Sequence, residues 1–324
     1  MIISKTPFRI SFAGGGSDLK SYYKHSAGAV LSTTINRYMY ICVNKKFDNQ
    51  IRVSYSKTEN VHEKNQIKHP IVRETLNFMN IDKGIEISSL ADIPKGSGLG
   101  SSSSYTVGLL NAIYSYQNKS ISKEKLAYQA CKIEIDHCKE PIGKQDQYAA
   151  TYGGINLICF RPDDTVIVNR VNCSLEIIDE LNKSILLFFT GITRSASTTL
   201  LDQNLNMDIP YKRDIIKKMI ELAYKMKDQL ESGNLSNFGK MLDENWKLKA
   251  SLTSNITNSQ INRWYKIGLE NGALGGKILG AGNGGFLMFF APSSCHKKIK
   301  LALNDLKFVK VELEDEGSKI VYKG

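Results

Sequence analysis

The start of the chain alternates apolar and polar residues with the period of a β-strand. Phe8, Ile10 and Phe12 fall on one face, and Arg9 and Ser11 fall on the other. Strands are also predicted in residues 38–55 (two strands joined by a turn at Asp48-Asn49), 84–94, 155–160, 165–171 and 307–314. The continuous apolar run in residues 184–190 predicts a buried strand, and residues 284–291 predict another strand.

Helical spacing of apolar residues dominates the regions between these strands. Val107, Leu110 and Tyr114 are one example. Helices are predicted in residues 104–117, 122–138, a short segment ending at Gly153-Gly154, 209–250, 256–272 and 295–306. Because helices and strands are mixed without a regular alternation, we predict an α+β fold. The pattern restarts near residue 183, which predicts two domains, residues 1–182 and 183–324.

The composition is that of a globular protein. The chain has 324 residues, of which 42% are hydrophobic, enough for a substantial core. Its six cysteines form no CxxC pair and do not join the five histidines at zinc spacing, which predicts reduced cysteines in a cytoplasmic protein. No segment approaches the roughly 18 uncharged apolar residues of a membrane span, and the N-terminus lacks a signal-peptide pattern. We expect no membrane partner.

The formal net charge of +11 admits three explanations. The lysines are dispersed, as in residues 217–233, so a solvated basic surface is the simplest one. Attraction of an anionic small substrate is the second. RNA binding is the third, but the chain has no cluster of aromatic and basic residues, and we expect no nucleic-acid partner.

Residues 95–104 have the composition of an anion-binding loop. Three glycines alternate with other residues and lead into four serines, where a helix is predicted to begin. Glycine lets the backbone turn and expose its N–H groups, and a helix N-terminus adds free donors and a positive dipole end. An ordinary capped helix after a flexible turn is the competing interpretation, but it requires only one glycine and one serine.

Other nucleotide-binding loops fit less well. The chain has no GxxxxGK[ST] string. A GxGxxG string occurs at Gly280, Gly282 and Gly285, but a predicted strand follows it, whereas a dinucleotide site requires a helix.

Three ordered motifs together resemble a known family. "PKGSGLGSSSS", from Pro94, is similar to the second signature of the GHMP superfamily, which comprises galactokinases, homoserine kinases, mevalonate kinases and phosphomevalonate kinases. "KTPFRISFAGGGSD" and "GGKILGAGNGG" stand where the other two signatures belong. "GKQDQYAATYGG" and "TGITRSAS" resemble the D-glycero-D-manno-heptose 7-phosphate kinases of that superfamily. The departures are Ser103 and Ser104, where alanines are common, and Asn283 within the third glycine run.

The resemblance implies a fold, two substrates and a metal ion. Members have an N-terminal α+β domain similar to a ribosomal-protein domain and a ferredoxin-like C-terminal domain. ATP would lie along the loop, with Mg²⁺, and the acceptor between the domains. The implied ATP and phosphate contacts are Lys95, Gly96, Gly98, Leu99, Gly100, Ser101, Ser102 and Ser103. Within this set Ser101 and Ser103 would bind phosphate or cap the helix.

The resemblance assigns Mg²⁺ to Ser102 and Glu134. The sequence itself marks Glu134, because it interrupts the apolar helical stripe of Ala127, Cys131 and Cys138. A carboxylate there costs free energy unless it has a partner. The alternative is a glutamate at the edge of the stripe that reaches solvent or a lysine.

Asp146 and Arg9 are the implied catalytic residues. Asp146 would accept the proton of the acceptor hydroxyl, and Arg9 would lie near it and stabilise the transferring phosphoryl group. The alternative for Asp146 is an acid that complements the dipole of a helix first turn. For Arg9, which replaces the more common lysine, it is an ordinary ion pair on the strand.

The implied acceptor-binding residues come from both halves of the chain. They are Gly15, Gly16, Ser17, Asp18, Arg194, Gly280, Gly282 and Gly284. Arg194 would bind a phosphate of the substrate, because guanidinium groups match phosphate oxygens. An Asx-turn is the alternative for Asp18, and a tight turn is the alternative for the C-terminal glycines.

These features predict an ATP-dependent kinase. The expected reaction is phosphorylation of the anomeric hydroxyl of D-glycero-D-manno-heptose 7-phosphate, which gives the 1,7-bisphosphate for nucleotide-activated heptose and surface polysaccharide. A kinase for another sugar, such as fucose or galactose, is one alternative. A non-catalytic sensor of ATP and sugar on the same fold is another. The sequence does not determine the oligomeric state, and a homodimer stays open.

Overall fold

The computed structural model describes residues 1–193, 200–201 and 209–324. A nine-stranded sheet forms most of the first half. Its strands are β1 (Ile2–Ala13), β2 (Gly28–Lys45), β3 (Ile51–Ser54), β4 (Thr58–Val61), β5 (Ile85–Ala91), β6 (Asn156–Phe160), β7 (Val166–Arg170), β12 (Leu313–Glu314) and β13 (Lys319–Lys323).

The long antiparallel pair of β1 and β2 is the centre of this sheet. The two strands predicted within residues 38–55 are present as the end of β2 and β3. They are not neighbours, because β5 lies between them, antiparallel to β2 and parallel to β3. Ile87 of β5 stands opposite both Val43 and Val53, and all three residues are fully buried.

The second sheet has four antiparallel strands in the order β11-β8-β10-β9. They are β8 (Ile185–Phe189), β9 (Gly275–Ile278), β10 (Phe286–Phe290) and β11 (Lys307–Val309). Counted along the chain, the order is fourth, first, third, second, which is the ferredoxin-like arrangement. The predicted α+β fold class is confirmed.

The described helices cover both sheets. They are α1 (Lys20–Tyr23), α2 (Pro70–Phe78), α3 (Ser101–Tyr116), α4 (Lys123–Cys131), α5 (Gln145–Tyr152), α6 (Leu175–Ser184), α7 (Pro210–Glu231), α8 (Phe238–Ala250), α9 (Ser259–Glu270) and α10 (His296–Ala302). A π-helical turn, Lys132–His137, continues α4. Helix α3 packs across β1 and β2, and α5 packs against α3 and β1, so the N-terminal ends of α3 and α5 lie near the middle of β1.

The two halves share one apolar core. Alternate residues of β8 point to opposite faces. Ile185 and Leu187 therefore join the cluster that contains the first sheet, while Leu186 and Phe188 join a cluster formed mainly by the second half. Helix α7 packs on β1 and β2, and the terminal strands β12 and β13 pair with β2 and β1. The division after residue 182 stays a prediction, and residues 313–323 pair with the first sheet.

All six cysteines are free thiols. None of the helices in the described ranges combines the length and the apolar character that crossing a membrane requires.

Candidate active site

The loop before α3 has the backbone shape of an anion-binding turn. Gly96, Gly98 and Gly100 all have positive φ angles, of 75°, 82° and 75°. Gly100 is the N-cap, and no side chain in the described part of the chain caps the helix. Ser104 N–H donates to Gly100 O at 2.9 Å, which leaves the N–H groups of the three preceding residues without a helical acceptor.

The serines therefore do not act as helix caps. Ser104 Oγ donates to Pro7 O at 2.9 Å, which ties α3 to β1. Ser103 is buried next to Glu134, whereas Ser101 and Ser102 are partly exposed at the helix start. Lys95 is exposed at the beginning of the loop, and Leu99 is buried beneath it.

The phosphate loop packs directly on the third glycine motif. A methyl group on Gly98 would lie 2.3 Å from Leu279 O, and one on Gly280 would lie 2.7 Å from Gly98 Cα. Phe286 N–H donates to Ser97 O at 3.1 Å. Only residues without a side chain allow this approach, so the C-terminal motif supports the loop of the first domain.

Gly282 and Gly284 pack within the second half of the chain. Methyl groups at these positions would lie 2.6 Å from Ile256 O and 2.8 Å from Ile192 Cγ2. This close packing is consistent with the alternative that these glycines serve a tight turn. Their contact with the acceptor stays a prediction. Arg194 lies outside the described residues.

Asp146 forms a two-point ion pair with Arg9. Arg9 Nε and Nη2 donate to the two carboxylate oxygens, both at 2.7 Å, and Nη1 donates to Gly98 O at 2.6 Å. Arg9 is 4% exposed, because α3 and α5 cover the face of β1 that the sequence pattern marked as polar. A methyl group on Gly100 would lie 3.2 Å from Asp146 Oδ2, so the carboxylate lies against the phosphate loop.

Glu134 is a fully buried carboxylate with neutral partners. Ser102 Oγ donates to Oε2 at 2.8 Å, and Gln147 Nε2 donates to Oε1 at 2.9 Å. Burial raises the pKa of Glu134 to about 7, and the hydrogen bonds from Gln147 and Ser102 oppose that rise. It neither reaches solvent nor pairs with a lysine, so the stripe-edge alternative is wrong. Sequence reasoning missed Gln147.

The oxygen atoms of Glu134 and Ser102 are chemically suited to a divalent cation. Mg²⁺ is commonly held by one or two protein oxygens together with substrate phosphates and water. Ser102 and Glu134 supply such oxygens beside the free N–H groups of α3. The described residues contain no cluster of three or more His, Cys, Asp or Glu that could hold a metal alone.

The loop of residues 14–18, which is predicted to bind the acceptor and is called the acceptor loop below, is held from several sides. Asp18 is 3% exposed; its Oδ1 accepts from Gly16 N–H at 3.0 Å, and its Oδ2 accepts from Gln145 N–H at 3.3 Å. An Asx-turn would use the N–H two residues after Asp18, whereas Gly16 precedes it by two residues, so this bond is not an Asx-turn and instead ties Asp18 to its own loop. Burial, and then the charge of Asp146, raises the pKa of Asp18. Ser17 is fully buried and donates to Ala29 O at 3.1 Å.

Three polar residues of the second half lie against this loop or against the end of β1 that precedes it. Asn245 Nδ2 donates to Phe12 O at 3.3 Å, and Lys277 Nζ donates to Ser11 O at 2.7 Å. Lys249 Nζ donates to Gly280 O at 2.8 Å. Sequence reasoning missed all three. Asn245 and Lys249 interrupt the buried face of α8, which is the same signal that marked Glu134.

Comparison with known proteins agrees with this geometry. Residues 65–154 match the family described as GHMP kinases N terminal domain, and residues 226–306 match GHMP kinases C terminal. The D-glycero-alpha-D-manno-heptose 7-phosphate kinase of Campylobacter jejuni is 30% identical, with 95% of each chain covered. The L-fucokinase/L-fucose-1-P guanylyltransferase of Bacteroides fragilis is 23% identical over 99% of this chain and 38% of that longer protein.

A solved structure has the same fold over its entire length. The D-glycero-D-manno-heptose 1-phosphate kinase from Bacteroides thetaiotaomicron superposes with a TM-score of 0.82 at 25% identity, covering 100% of both chains. This structure agrees with the two family matches and with the Campylobacter jejuni relative. The chain that carries the glycine loop, the ion pair and the buried glutamate is therefore a member of the GHMP kinase family, an ATP-dependent kinase.

Proposed function

We propose that the enzyme transfers the γ-phosphoryl group of ATP to the anomeric C1 hydroxyl of D-glycero-D-manno-heptose 7-phosphate. The product is the 1,7-bisphosphate, a precursor of nucleotide-activated heptose. The observation that carries the proposal is the Arg9–Asp146 pair, which lies between the phosphate loop and the acceptor loop. The Campylobacter jejuni relative supports the choice of sugar.

The residues of the pair have separate tasks in this proposal. Asp146 accepts the proton of the attacking hydroxyl, and its two bonds from Arg9 fix the direction of the carboxylate. The N–H groups at the start of α3 bind ATP phosphates, with the positive end of the helix dipole behind them. Phosphoryl transfer depends mainly on positioning and on charge stabilisation, which these groups supply.

Ser102 and Glu134 would hold Mg²⁺ in this proposal. Bound there, the ion neutralises charge on the ATP phosphates. Its charge also compensates the buried carboxylate, which has no cationic side chain within 4.0 Å among the residues described. The proposal locates the reaction in the cytoplasm, where ATP is present and the six cysteines stay reduced.

The names of the two heptose-kinase relatives differ in the phosphate they mention, 7-phosphate in one and 1-phosphate in the other. The test is a panel of acceptors with ATP and Mg²⁺: the heptose, its 7-phosphate, its 1-phosphate, fucose and galactose. We expect the 7-phosphate to give the highest kcat/KM and phosphorus NMR to show the new phosphate on C1. Faster turnover of the 1-phosphate or of an unphosphorylated sugar would contradict the proposal.

The second candidate function is a kinase for an unphosphorylated sugar. The Bacteroides fragilis relative, whose name includes L-fucokinase, favours it. The same panel decides between the two. A non-catalytic sensor would instead bind ATP without turnover of any acceptor, and its Asp146→Asn variant would behave like the wild type in these assays.

A further inference from the structure

Lys249 is a buried cation with few partners. It is 6% exposed, and its ammonium donates to Gly280 O at 2.8 Å. No carboxylate oxygen within the described ranges lies within 4.0 Å of its nitrogen. An ammonium group has three donors, and burial of a charge with one carbonyl partner costs free energy. The position is explained if a ligand supplies further acceptors.

Two more polar groups near Lys249 lack partners. Ser11 Oγ and Gln145 Oε1 are buried and make no hydrogen bond with any described residue. Ser11 is 4% exposed. Most buried polar atoms in proteins are hydrogen-bonded, so two unpartnered ones close together call for an explanation.

All three side chains converge on Gly15. A methyl group built on Gly15 would lie 3.5 Å from Lys249 Nζ, 3.8 Å from Ser11 Oγ and 3.9 Å from Gln145 Nε2. These are ordinary contact distances, so there is room at this point for one group of a ligand. Gly15 does not have a positive φ angle, so backbone conformation does not explain why this position is a glycine.

The space at Gly15 adjoins the reacting centre. Gln145 immediately precedes Asp146 on α5, and Ser11 follows Arg9 on the same face of β1. Burial lowers the pKa of Lys249 to about 8, while the charge of Asp18 opposes this shift and the charge of Arg9 adds to it. Lys249 therefore lies within electrostatic reach of the Arg9–Asp146 pair.

We propose that Lys249, Ser11 and Gln145 bind the polyhydroxylated acceptor at Gly15, with the Lys249 ammonium donating to an acceptor oxygen. The inference rests on the proposed kinase function and adds three residues to the acceptor site. The set combines a charged donor, a hydroxyl and an amide, which matches the mixed donors and acceptors of a sugar. Because Lys249 belongs to α8, the acceptor contacts both halves of the chain.

The first test compares Lys249→Met with Lys247→Met. Lys247 is on the same helix, but its side chain is 70% exposed. Loss of one hydrogen bond from a charged group corresponds to about a 10–100-fold increase in the KM of the acceptor. We expect that increase for Lys249→Met, with an ATP KM within about twofold of wild type. Its Tm should be equal or higher, because methionine fills the space without a buried charge. Lys247→Met removes only a surface ion pair with Asp243, so it should keep both wild-type KM values and change Tm little.

The pH profile separates binding from a structural role. The charged form of Lys249 is lost as pH rises through about 8, so kcat/KM for the acceptor should fall above that pH in wild type. The fall should be absent in Lys249→Met. Asp18, Arg9, Asp146 and Lys277 also face this ammonium. A fall that persists in the variant would belong to one of these groups and would contradict the proposal.

Gly15→Ala gives a second variant that should fold normally. Its methyl group fits the space sterically but occupies the position assigned to the ligand. We expect an acceptor KM raised by about tenfold or more and an unchanged Tm. The proposal is wrong if both variants keep the wild-type acceptor KM, or if Lys249→Met lowers Tm and weakens ATP and acceptor equally.

The acceptor used in these assays is the one that wild type phosphorylates fastest in the panel. If that acceptor is another sugar, the heptose assignment fails while Lys249 is still tested. If wild type phosphorylates no acceptor, both the kinase proposal and this inference are overturned.

Discussion

Glu134 and Asp146 are two carboxylates beside the same phosphate loop, but their surroundings differ. Glu134 receives hydrogen bonds from the neutral side chains of Ser102 and Gln147 and is fully buried. Asp146 receives two bonds from the guanidinium of Arg9, and 22% of its side chain is exposed. One negative charge is compensated within the protein, and the other is not.

This difference separates the two proposed roles. A compensated and oriented carboxylate at the edge of the acceptor space suits proton transfer, because its direction is fixed before the substrate arrives. An uncompensated buried carboxylate suits a metal ion, because the ion supplies the missing charge. Substitutions at the two positions should therefore change different measured quantities.

The largest expected effect is that of Asp146→Asn on catalysis. Asparagine keeps the shape but cannot accept the hydroxyl proton, so kcat should fall by about 10²–10⁴. The ATP KM should stay near the wild-type value, since the loop 95–100 is unchanged. Steady-state kinetics measures both constants. A kcat within twofold of wild type would remove Asp146 from the chemistry.

Glu134→Gln should change how stability depends on pH in the metal-free protein. The pKa of Glu134 is about 7 in the folded state and ordinarily 4.5, so the folded protein binds the proton more tightly. The tighter proton binding adds about 3 kcal/mol to the free energy of unfolding below pH 4.5. This stabilisation is lost as pH rises through 7. Denaturant unfolding should show this fall in wild type.

The matched control is Asp136→Asn, an exposed acid in the same π-helical turn. Asp136→Asn should keep the wild-type fall in stability, whereas Glu134→Gln should lack it. Identical pH dependence in wild type and Glu134→Gln would mean that Glu134 is not buried as a free carboxylate.

A smaller effect is expected from Gly98→Ala compared with Gly191→Ala. Both glycines have positive φ angles, of 82° and 73°, so alanine costs about 1–2 kcal/mol at either position. At Gly191 the methyl group would meet no atom of the described residues within 4 Å, whereas at Gly98 it would lie 2.3 Å from Leu279 O.

Gly98→Ala should therefore lower Tm more than Gly191→Ala and also reduce kcat, because Gly98 O accepts a bond from Arg9. Gly98→Ala should not change the fall in stability with rising pH that is assigned to Glu134. An equal decrease of Tm in the two variants would show that the contact between Gly98 and Leu279 does not contribute to stability.

The sequence predicted the part of the site that lies on local motifs. Gly98, Gly100 and the helix start could be identified because glycine and serine spacing reflects local backbone geometry. Glu134 could be identified because a carboxylate on an apolar helical stripe is a local anomaly. The resemblance to a known family then singled out Asp146.

What the sequence did not predict depends on contacts between distant segments. Lys249 lies beside Gly15, and Lys277 binds Ser11 O at the end of β1, in each case across more than 200 residues. Only the packing of the second half brings them there. Strand β9 was missed because its two glycines are atypical of a strand, and β13 because an exposed edge strand carries little apolar pattern. The place of β5 between β2 and β3 depends on burial that sequence spacing does not encode.

The most direct test of the contrast between the two carboxylates is the Mg²⁺ dependence of Glu134→Gln and Asp146→Asn activity at fixed ATP. Loss of a metal contact should raise the Mg²⁺ concentration for half-maximal rate by about tenfold or more in Glu134→Gln. Asp146→Asn should keep the wild-type value despite its lower kcat. A shift in both variants, in neither, or in Asp146→Asn alone would contradict the separation of metal binding from proton transfer.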